Sequence, residues 1–325
     1  MSYSIGNVTI NEDDVGNAQA GGLIGANNSA SQILDSYSIG NVTGGSLVGG
    51  LVGYNQGNKI ANSYSKGNIT GKEYVGGLAG WMVNSNYNGE ISNSYSEGTV
   101  TSEEHAGGLI AGFAGLKVID SYSKGDVTGN DVAGGLIANV HQKGTIENTY
   151  SIGNVTGGKV VGGLVGNNYK GAISKSHSIG NVTGGNVVGG LVGSNYTGGE
   201  IIKSYSKGSV TGDGEAAGGL VGNNYANEPI TDSYFEGDVT GIEKVGGLVG
   251  GNYGDIIKSY SKGSVTGDDM VGGLIGGNYA ELTDSYFEGD VTGKEYVGGL
   301  VGGNYGDIIK SYSKANVTGI EKVGG

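Results

Sequence analysis

The side chains best suited to chemistry in this 325-residue chain are its three histidines, His105, His141 and His177. They follow one another at intervals of 36 residues, with no cysteine and no HExxH pattern to complete a metal site. The adjacent acids Glu103–Glu104 and Asp13–Asp14 lack the facing geometry that paired carboxylates need for acid–base work. We therefore predict no catalytic site, no metal site and no cofactor.

Aromatic side chains offer a more regular pattern, because a Ser-Tyr-Ser type triplet recurs along the whole chain, mostly every 26 to 29 residues. His177 takes the place of one of these tyrosines. Aromatic rings supply contact area at low entropic cost, so the tyrosines are the candidate ligand- or partner-binding stripe. These residues are Tyr37, Tyr64, Tyr95, Tyr122, Tyr150, Tyr205, Tyr234, Tyr260, Tyr286 and Tyr312.

Threonine recurs with the same period and would place one hydroxyl and one methyl group on each repeat. A regular rank of this kind suits an ice-binding surface, although a broad flat face would need two threonines per repeat. The residues are Thr9, Thr43, Thr70, Thr101, Thr128, Thr156, Thr183, Thr211, Thr240, Thr266, Thr292 and Thr318.

The elements that carry these columns are short repeats of one stretch, most regular from Glu236 to Lys262. Each repeat offers three short strand-like runs separated by Gly, Asn and Asp, and a fixed period of this size is typical of solenoids. We predict an all-β fold, a parallel β-helix (β-solenoid) with about three short strands per coil of 26–31 residues and right-handed crossovers. Residues 1–325 are expected to form a single repeat domain of eleven to twelve coils, a segment of a longer protein.

Alternation of side chains along a strand assigns the faces of the triplet. It points the tyrosines outward and the small serines inward, and it places Phe235 and Phe287, which replace a serine, in the core. The run from Val245 to Val249 is apolar at both parities. Either the Gly-Gly pair within it bends the backbone so that all of its apolar side chains enter the core, or a valine stripe faces outward and supports lateral association.

Charge and hydropathy argue against two classes of partner, nucleic acids and membranes. The net charge is −13 and all 18 basic residues are lysines, which disfavours nucleic acid. No apolar run is long enough to insert into a membrane.

Two positions after the tyrosine, lysine and glutamate alternate in sign from repeat to repeat, so opposite charges should be neighbours across coils. This charge column consists of Lys207, Glu236, Lys262, Glu288 and Lys314.

One motif carries a resemblance to a known family. The sequence GGLVG at Gly49–Gly53, Gly162–Gly166 and Gly246–Gly250, followed by Asn, Ile and Ser-Tyr-Ser, resembles the GLUG repeat, named for its Gly-Leu-x-Gly core. Such repeats occur in large secreted or surface-attached microbial proteins, including adhesin-like and IgA-peptidase-type proteins. The resemblance implies an extracellular or cell-surface location and a stalk-like or adhesive role, and it assigns no catalytic residue.

The expected function is therefore a structural or adhesive module of a secreted or cell-surface microbial protein. Its expected partners are host glycans or proteins, or further copies of itself through lateral or end-to-end contact. Two alternatives stay open: an ice-binding solenoid that uses the threonines, and a polysaccharide-active β-helix enzyme. An enzyme would need its acids and bases in the irregular stretches Trp81–Gly89 and Glu103–His105, where the repeat is interrupted.

Overall fold

The structure is a computed structural model that describes residues 1–10, 18–84 and 89–325. Every regular element in these ranges is a β-strand, and all strand pairs are parallel. The described part of the chain contains no helix that could cross a membrane. The predicted all-β class is confirmed.

One coil consists of five short strands, and each strand pairs with its counterpart in the coils before and after it. A representative coil contains Ile256–Ile257, Tyr260–Lys262, Val265–Thr266, Asp269–Gly272 and Ile275–Asn278. We call the five sets the isoleucine, tyrosine, threonine, valine and asparagine strands, after a residue that recurs in each. Residues at the same repeat position lie directly opposite one another, as Tyr260 does with Tyr286.

The strand bounds of each set show the regularity of the stack. The isoleucine strands are Gln32–Leu34, Lys59–Ala61, Gly89–Ser92, Leu116–Ile119, Gly144–Glu147, Gly171–Ser174, Ile201–Ile202, Ile230–Thr231, Ile256–Ile257, Leu282–Thr283 and Ile308–Ile309. The valine strands are Gln19–Gly21, Leu47–Gly49, Tyr74–Gly76, His105–Gly107, Val132–Gly134, Val160–Gly162, Val187–Gly189, Ala216–Gly218, Val245–Gly246, Asp269–Gly272, Glu295–Gly298 and Glu321–Gly324. The asparagine strands are Ile24–Asn27, Val52–Asn55, Ala79–Val83, Ile110–Ala114, Ile137–Val140, Val165–Asn168, Val192–Asn195, Val221–Asn224, Val249–Asn252, Ile275–Asn278 and Val301–Asn304.

The tyrosine and threonine strands follow each other in every coil. The tyrosine strands are Ser2–Ile5, Ser36–Ile39, Tyr64–Lys66, Tyr95–Glu97, Tyr122–Lys124, Tyr150–Ile152, His177–Ile179, Tyr205–Lys207, Tyr234–Glu236 and Tyr260–Lys262. The threonine strands are Val8–Thr9, Val42–Thr43, Ile69–Gly71, Val100–Ser102, Val127–Gly129, Val155–Gly157, Val182–Gly184, Val210–Gly212, Val239–Thr240 and Val265–Thr266. In the last two coils the two strands merge into Tyr286–Thr292 and Tyr312–Thr318.

The strands assemble into one 22-stranded, one 12-stranded and two 11-stranded parallel sheets. The 22-stranded sheet holds both the tyrosine and the threonine strands, and we call its outer surface the broad face. A parallel β-solenoid of about eleven coils, as predicted, is therefore confirmed. Each coil contains the three predicted strand-like runs. Two of these runs bend in the middle, so each of them forms two strands.

The first bend lies at the Gly-Gly doublet. An added Cβ on Gly246 would lie 2.0 Å from the carbonyl oxygen of Val249, and one on Gly247 would lie 2.1 Å from that of Gly273. The chain turns tightly at the doublet in every coil. A Cβ has no room at either position, so the turn requires glycine. Val245 and Val249 are both fully buried as a result. The alternative of an outward valine stripe for lateral association is therefore wrong.

The second bend lies one residue before each Ser-Tyr-Ser triplet. There the backbone takes a left-handed conformation with φ between 47° and 53°. Asn and Asp tolerate this conformation best, and they hold seven of the eleven positions, with Lys at the other four. The residues are Asp35, Asn62, Asn93, Asp120, Asn148, Lys175, Lys203, Asp232, Lys258, Asp284 and Lys310.

The core is a narrow tube filled by stacked columns of apolar side chains, such as Leu248, Ile256 and Val265. Serine columns line the inside of the tyrosine strands. The Ser178 hydroxyl, for example, donates to the carbonyl oxygen of Gly190 at the doublet of the same coil, at 2.5 Å. Phe235 is 1% exposed in the column that serine otherwise occupies, so its inward prediction is confirmed.

Candidate functional site

The tyrosine column lies on the broad face, and its outward orientation is confirmed. From Tyr37 to Tyr286 the residues on both sides of each tyrosine are buried, while the tyrosine rings between them are partly exposed. Successive rings stack with centroids 4.7–5.3 Å apart and planes within 10° of parallel. The stack begins at Tyr3, continues through His177 and ends at Tyr312.

Stacking limits how this column can contact another molecule. Each ring face inside the stack is covered by the next ring, so it has no free face for a sugar ring. The stack therefore presents ring edges and phenol hydroxyls, in a row with the spacing of the coils. Burial raises the pKa of Tyr122, Tyr234 and Tyr260, so these hydroxyls stay protonated at neutral pH and can donate hydrogen bonds.

The predicted charge column lies beside the tyrosines and forms ion pairs between coils. Lys207 contacts Glu236 at 2.7 Å, and Glu288 accepts from Lys262 at 3.0 Å and from Lys314 at 3.1 Å. The ammonium groups also lie close to the tyrosine rings, as Lys207 Nζ does at 5.6 Å from the centroid of the Tyr205 ring. Exposed pairs of this kind add little to stability, because water and salt screen their charges. The predicted attraction across coils is confirmed.

The threonine column lies on the same face, and its side chains are exposed except for the half-buried Thr211. Between the charges and the threonines lies a column of Asn, Asp and Ser, with Thr99 in one coil. The side-chain oxygen of Asn154 accepts from the backbone N–H of Asn181, one coil further along, at 3.0 Å. The Asn and Asp side chains of this column therefore support the stack. The broad face thus presents four columns in register.

A second aromatic column is present that the sequence analysis did not identify. Its rings stack at centroid distances of 4.6–5.6 Å at the corner that follows the asparagine strands. The signal for it was the recurring Asn-Tyr pair after the Gly-Leu-x-Gly motif. Its members are Tyr169, Tyr196, Tyr225, Tyr253, Tyr279 and Tyr305.

The asparagine before each of these tyrosines forms an internal column that was also missed. Each side-chain amide donates to the side-chain oxygen of the asparagine in the next coil at 2.8–3.0 Å. We call this set the amide ladder. It consists of Asn168, Asn195, Asn224, Asn252, Asn278 and Asn304. The constant position of the asparagine in these repeats signals the ladder in the sequence, but only burial shows that the amides point inward.

The histidines do not form one site. His177 is part of the tyrosine column, whereas His105 packs on Tyr74 and His141 packs on Trp81. Burial lowers the pKa of His105, against the opposing effect of the nearby carboxylates of Asp131 and Glu104. Within the described ranges no group of three or more His, Cys, Asp or Glu side chains could hold a metal ion.

The two stretches singled out for an enzyme adjoin each other, since Tyr74 contacts both Trp81 and His105. His105 Nε2 lies 4.0 Å from the Glu104 carboxylate. Residues 85–88 of the first stretch, and the pair Asp13–Asp14, lie outside the described residues. The described residues here form an aromatic cluster beside the carboxylates of Glu104 and Asp131.

Comparison with protein families identifies the repeat. The family model described as the GLUG motif matches residues 44–70, 71–101, 184–211, 213–240, 243–266, 268–292 and 293–318. These matches cover more than half of the chain and follow the coils of the solenoid. Comparisons with curated proteins and with solved structures returned no match.

Proposed function

Because the chain belongs to the family defined by the GLUG motif, we propose that it is an adhesive shaft of a secreted or cell-surface microbial protein. Its coils form a repeat structural module, which fits a shaft. The observation that carries the adhesive part is the broad face, where four columns of exposed polar and aromatic groups run in register.

The shaft role is supported by the way in which each coil is bound to the next. Backbone ladders connect all five strands of a coil to its neighbours, and the amide ladder adds side-chain bonds inside the tube. In such an array each unit contacts only its neighbours, so length increases without a larger core. This design suits a module that holds another part of its protein at a distance.

The adhesive role would use the edges and hydroxyls of the tyrosine column together with the charges and threonines beside it. Host glycans and host proteins are the partners we propose, because both offer hydrogen-bonding groups to a row of phenols. A ring face is free only at the ends of the stack, so recognition would occur through hydrogen bonds along the rod.

The test is a glycan and protein binding array that compares the chain with two triple variants. One carries Tyr205→Ser, Tyr234→Ser and Tyr260→Ser, and the matched control carries Phe at the same positions. Phe keeps the stack and removes only the hydroxyls. Binding that both variants lose, while circular dichroism shows intact folding, would support hydroxyl recognition. Binding unchanged in both variants, or absent from the parent chain, would contradict the adhesive role of this face.

Ice binding is a second candidate, favoured by the exposure and register of the threonine column. Each coil offers one threonine, and charged side chains stand two columns away. The check is the growth of ice crystals in the presence of the purified chain. Unchanged growth would exclude this function.

A further inference from the structure

About three successive coils in the middle of the rod carry an excess of positive charge, unlike the chain as a whole. Between residues 113 and 199 there are six lysines and four acidic residues, a net charge of +2 in a chain whose total is −13. Three of the six are engaged elsewhere. Lys159 pairs with Asp131 at 2.6 Å, Lys175 pairs with Glu147 at 2.9 Å, and Lys124 lies over the Tyr122 ring.

The other three, Lys117, Lys143 and Lys170, belong to successive coils on one side of the rod. All three are exposed, and among the described residues none lies within 4.0 Å of a carboxylate. Lys143 and Lys170 directly precede Gly144 and Gly171, which are paired across the isoleucine strands. Their backbones are therefore separated by one coil, roughly 4.8 Å.

Three adjoining hollows lie over these lysines. The first, about 170 Å³, is lined by Lys117, Lys143 and Thr145. The second, about 350 Å³, shares Lys143 and Thr145 with the first and extends to Lys170 and Thr197. The third, also about 350 Å³, shares Lys170 and Thr197 and is bounded by His141, Tyr169 and Tyr196. Because neighbouring hollows share residues, they form one trough along the rod axis, which we call the lysine trough.

The lining of the lysine trough indicates the class of ligand. Lys143 and Lys170 occupy the same position in two coils, and Lys117 lies opposite Thr145, two residues after Lys143, so the three ammonium groups offer repeated positive charge. The two threonine hydroxyls offer hydrogen bonds, and the aromatic rings on one side offer flat apolar edges. The only acid in the lining, Glu228, accepts a hydrogen bond from the Gly198 backbone N–H at 2.8 Å and so helps to hold that corner of the chain. Repeated charge combined with hydroxyls and aromatic edges matches a chain of acidic sugars.

We propose that the lysine trough binds a linear acidic polysaccharide, lying along the rod with its carboxylates or sulfates on Lys117, Lys143 and Lys170. This site is on a different side of the coil from the broad face and does not depend on the function proposed for that face. The strongly acidic remainder of the chain would repel a polyanion elsewhere, and so would confine it to the trough.

The experiment measures binding of the full chain to polygalacturonate and to dextran sulfate by calorimetry in low salt, with neutral dextran as a control. A trough variant carries Lys117→Gln, Lys143→Gln and Lys170→Gln. A matched variant with the same change in charge carries Lys207→Gln, Lys262→Gln and Lys314→Gln on the broad face. We expect at least about ten-fold weaker binding for the trough variant and less than about two-fold for the matched variant. Binding by the parent chain should also weaken with added salt, because the charges are exposed.

A third variant with Arg at the three trough positions retains the charge and should bind acidic polysaccharide like the parent chain. Binding of oligothymidylate or polyglutamate as tightly as of polygalacturonate would overturn the assignment to sugars. Absence of binding by the parent chain, or equal losses in the trough and broad-face variants, would overturn the proposal itself. The tyrosine variants described above should leave this binding unchanged, so the two proposals can fail separately.

Discussion

The internal column that contains the amide ladder is built from different side chains in two regions of the rod. From Asn168 onward it is the amide ladder, in which buried asparagines bond to one another. In the three coils before it, the paired positions are Met82, Phe113 and Val140, all fully buried. We call these three residues the apolar segment. One column thus accepts hydrogen-bonded amides or apolar side chains, and the two kinds meet where Met82 is paired with Asn55 and Val140 is paired with Asn168.

The difference affects the corner that follows. In the ladder, Asn168 Nδ2 donates to the carbonyl oxygen of Gly171 at 2.7 Å, and Gly171 N–H donates to Asn168 Oδ1 at 2.8 Å. Asn278 and Asn304 bond to their own corners in the same way. Apolar side chains cannot make these bonds. The lysine trough lies over the corners that follow Phe113 and Val140 and continues over those that follow Asn168 and Asn195.

The largest expected effect is in the apolar segment. Phe113→Ala removes a fully buried ring that packs toward Gly144, and such a change costs about 3–5 kcal/mol. Hydrogen exchange should show faster opening in the coils next to Phe113, while the coils around Asn252 stay protected, because each coil contacts only its neighbours. Faster exchange spread evenly over the rod would contradict this separation.

An intermediate effect is expected in the amide ladder. Asn252→Leu leaves the Asn224 amide and the Asn278 side-chain oxygen without their partners, bonded now at 3.0 Å and 2.9 Å. Each buried polar group left unpaired costs about 1–3 kcal/mol. The control is Met82→Leu, the same new residue in the same column, which should cost less than about 1.5 kcal/mol. Urea unfolding measures the loss of stability in each variant. Equal losses would show that the two regions of the column do not differ in this way.

The smallest effect is a dependence on pH that is confined to one region. Burial lowers the folded-state pKa of His105, His141 and His177, and no histidine follows His177. The neutral forms are therefore favoured in the fold. Their stabilisation is complete above the unfolded pKa of about 6.5 and declines as the pH falls below it toward the folded values.

Hydrogen exchange measured at pH 7.5 and pH 5, corrected for intrinsic exchange rates, should therefore show loosening of the coils around His105 and His141. The coils beyond Asn224 should change little. His105→Gln should reduce the difference near residue 105. A rod that loosens uniformly at pH 5 would assign the effect to its carboxylates instead.

Much of the fold could be predicted from periodicity. The recurring Gly-Leu and Ser-Tyr-Ser patterns predicted stacked parallel strands, and alternation predicted outward tyrosines with Phe235 inside. Alternation could not decide whether the apolar side chains from Val245 to Val249 face the core or the solvent. It applies only to straight strands, and this run bends at the doublet. It also failed to find the amide ladder, since asparagine next to a turn is usually exposed and burial here depends on a partner one coil away.

The sequence by itself determined the repeat, the strand content and the candidate tyrosines, because each of these depends on residue type and local spacing. Only the tertiary structure decided what the columns can do. Stacking of successive coils covers the faces of the tyrosine rings, pairs each buried amide with the next, and brings Lys117, Lys143 and Lys170 to one side of three neighbouring coils although about 27 residues separate each from the next. These properties belong to contacts between coils, and such contacts exist only once the chain has wound through a full turn.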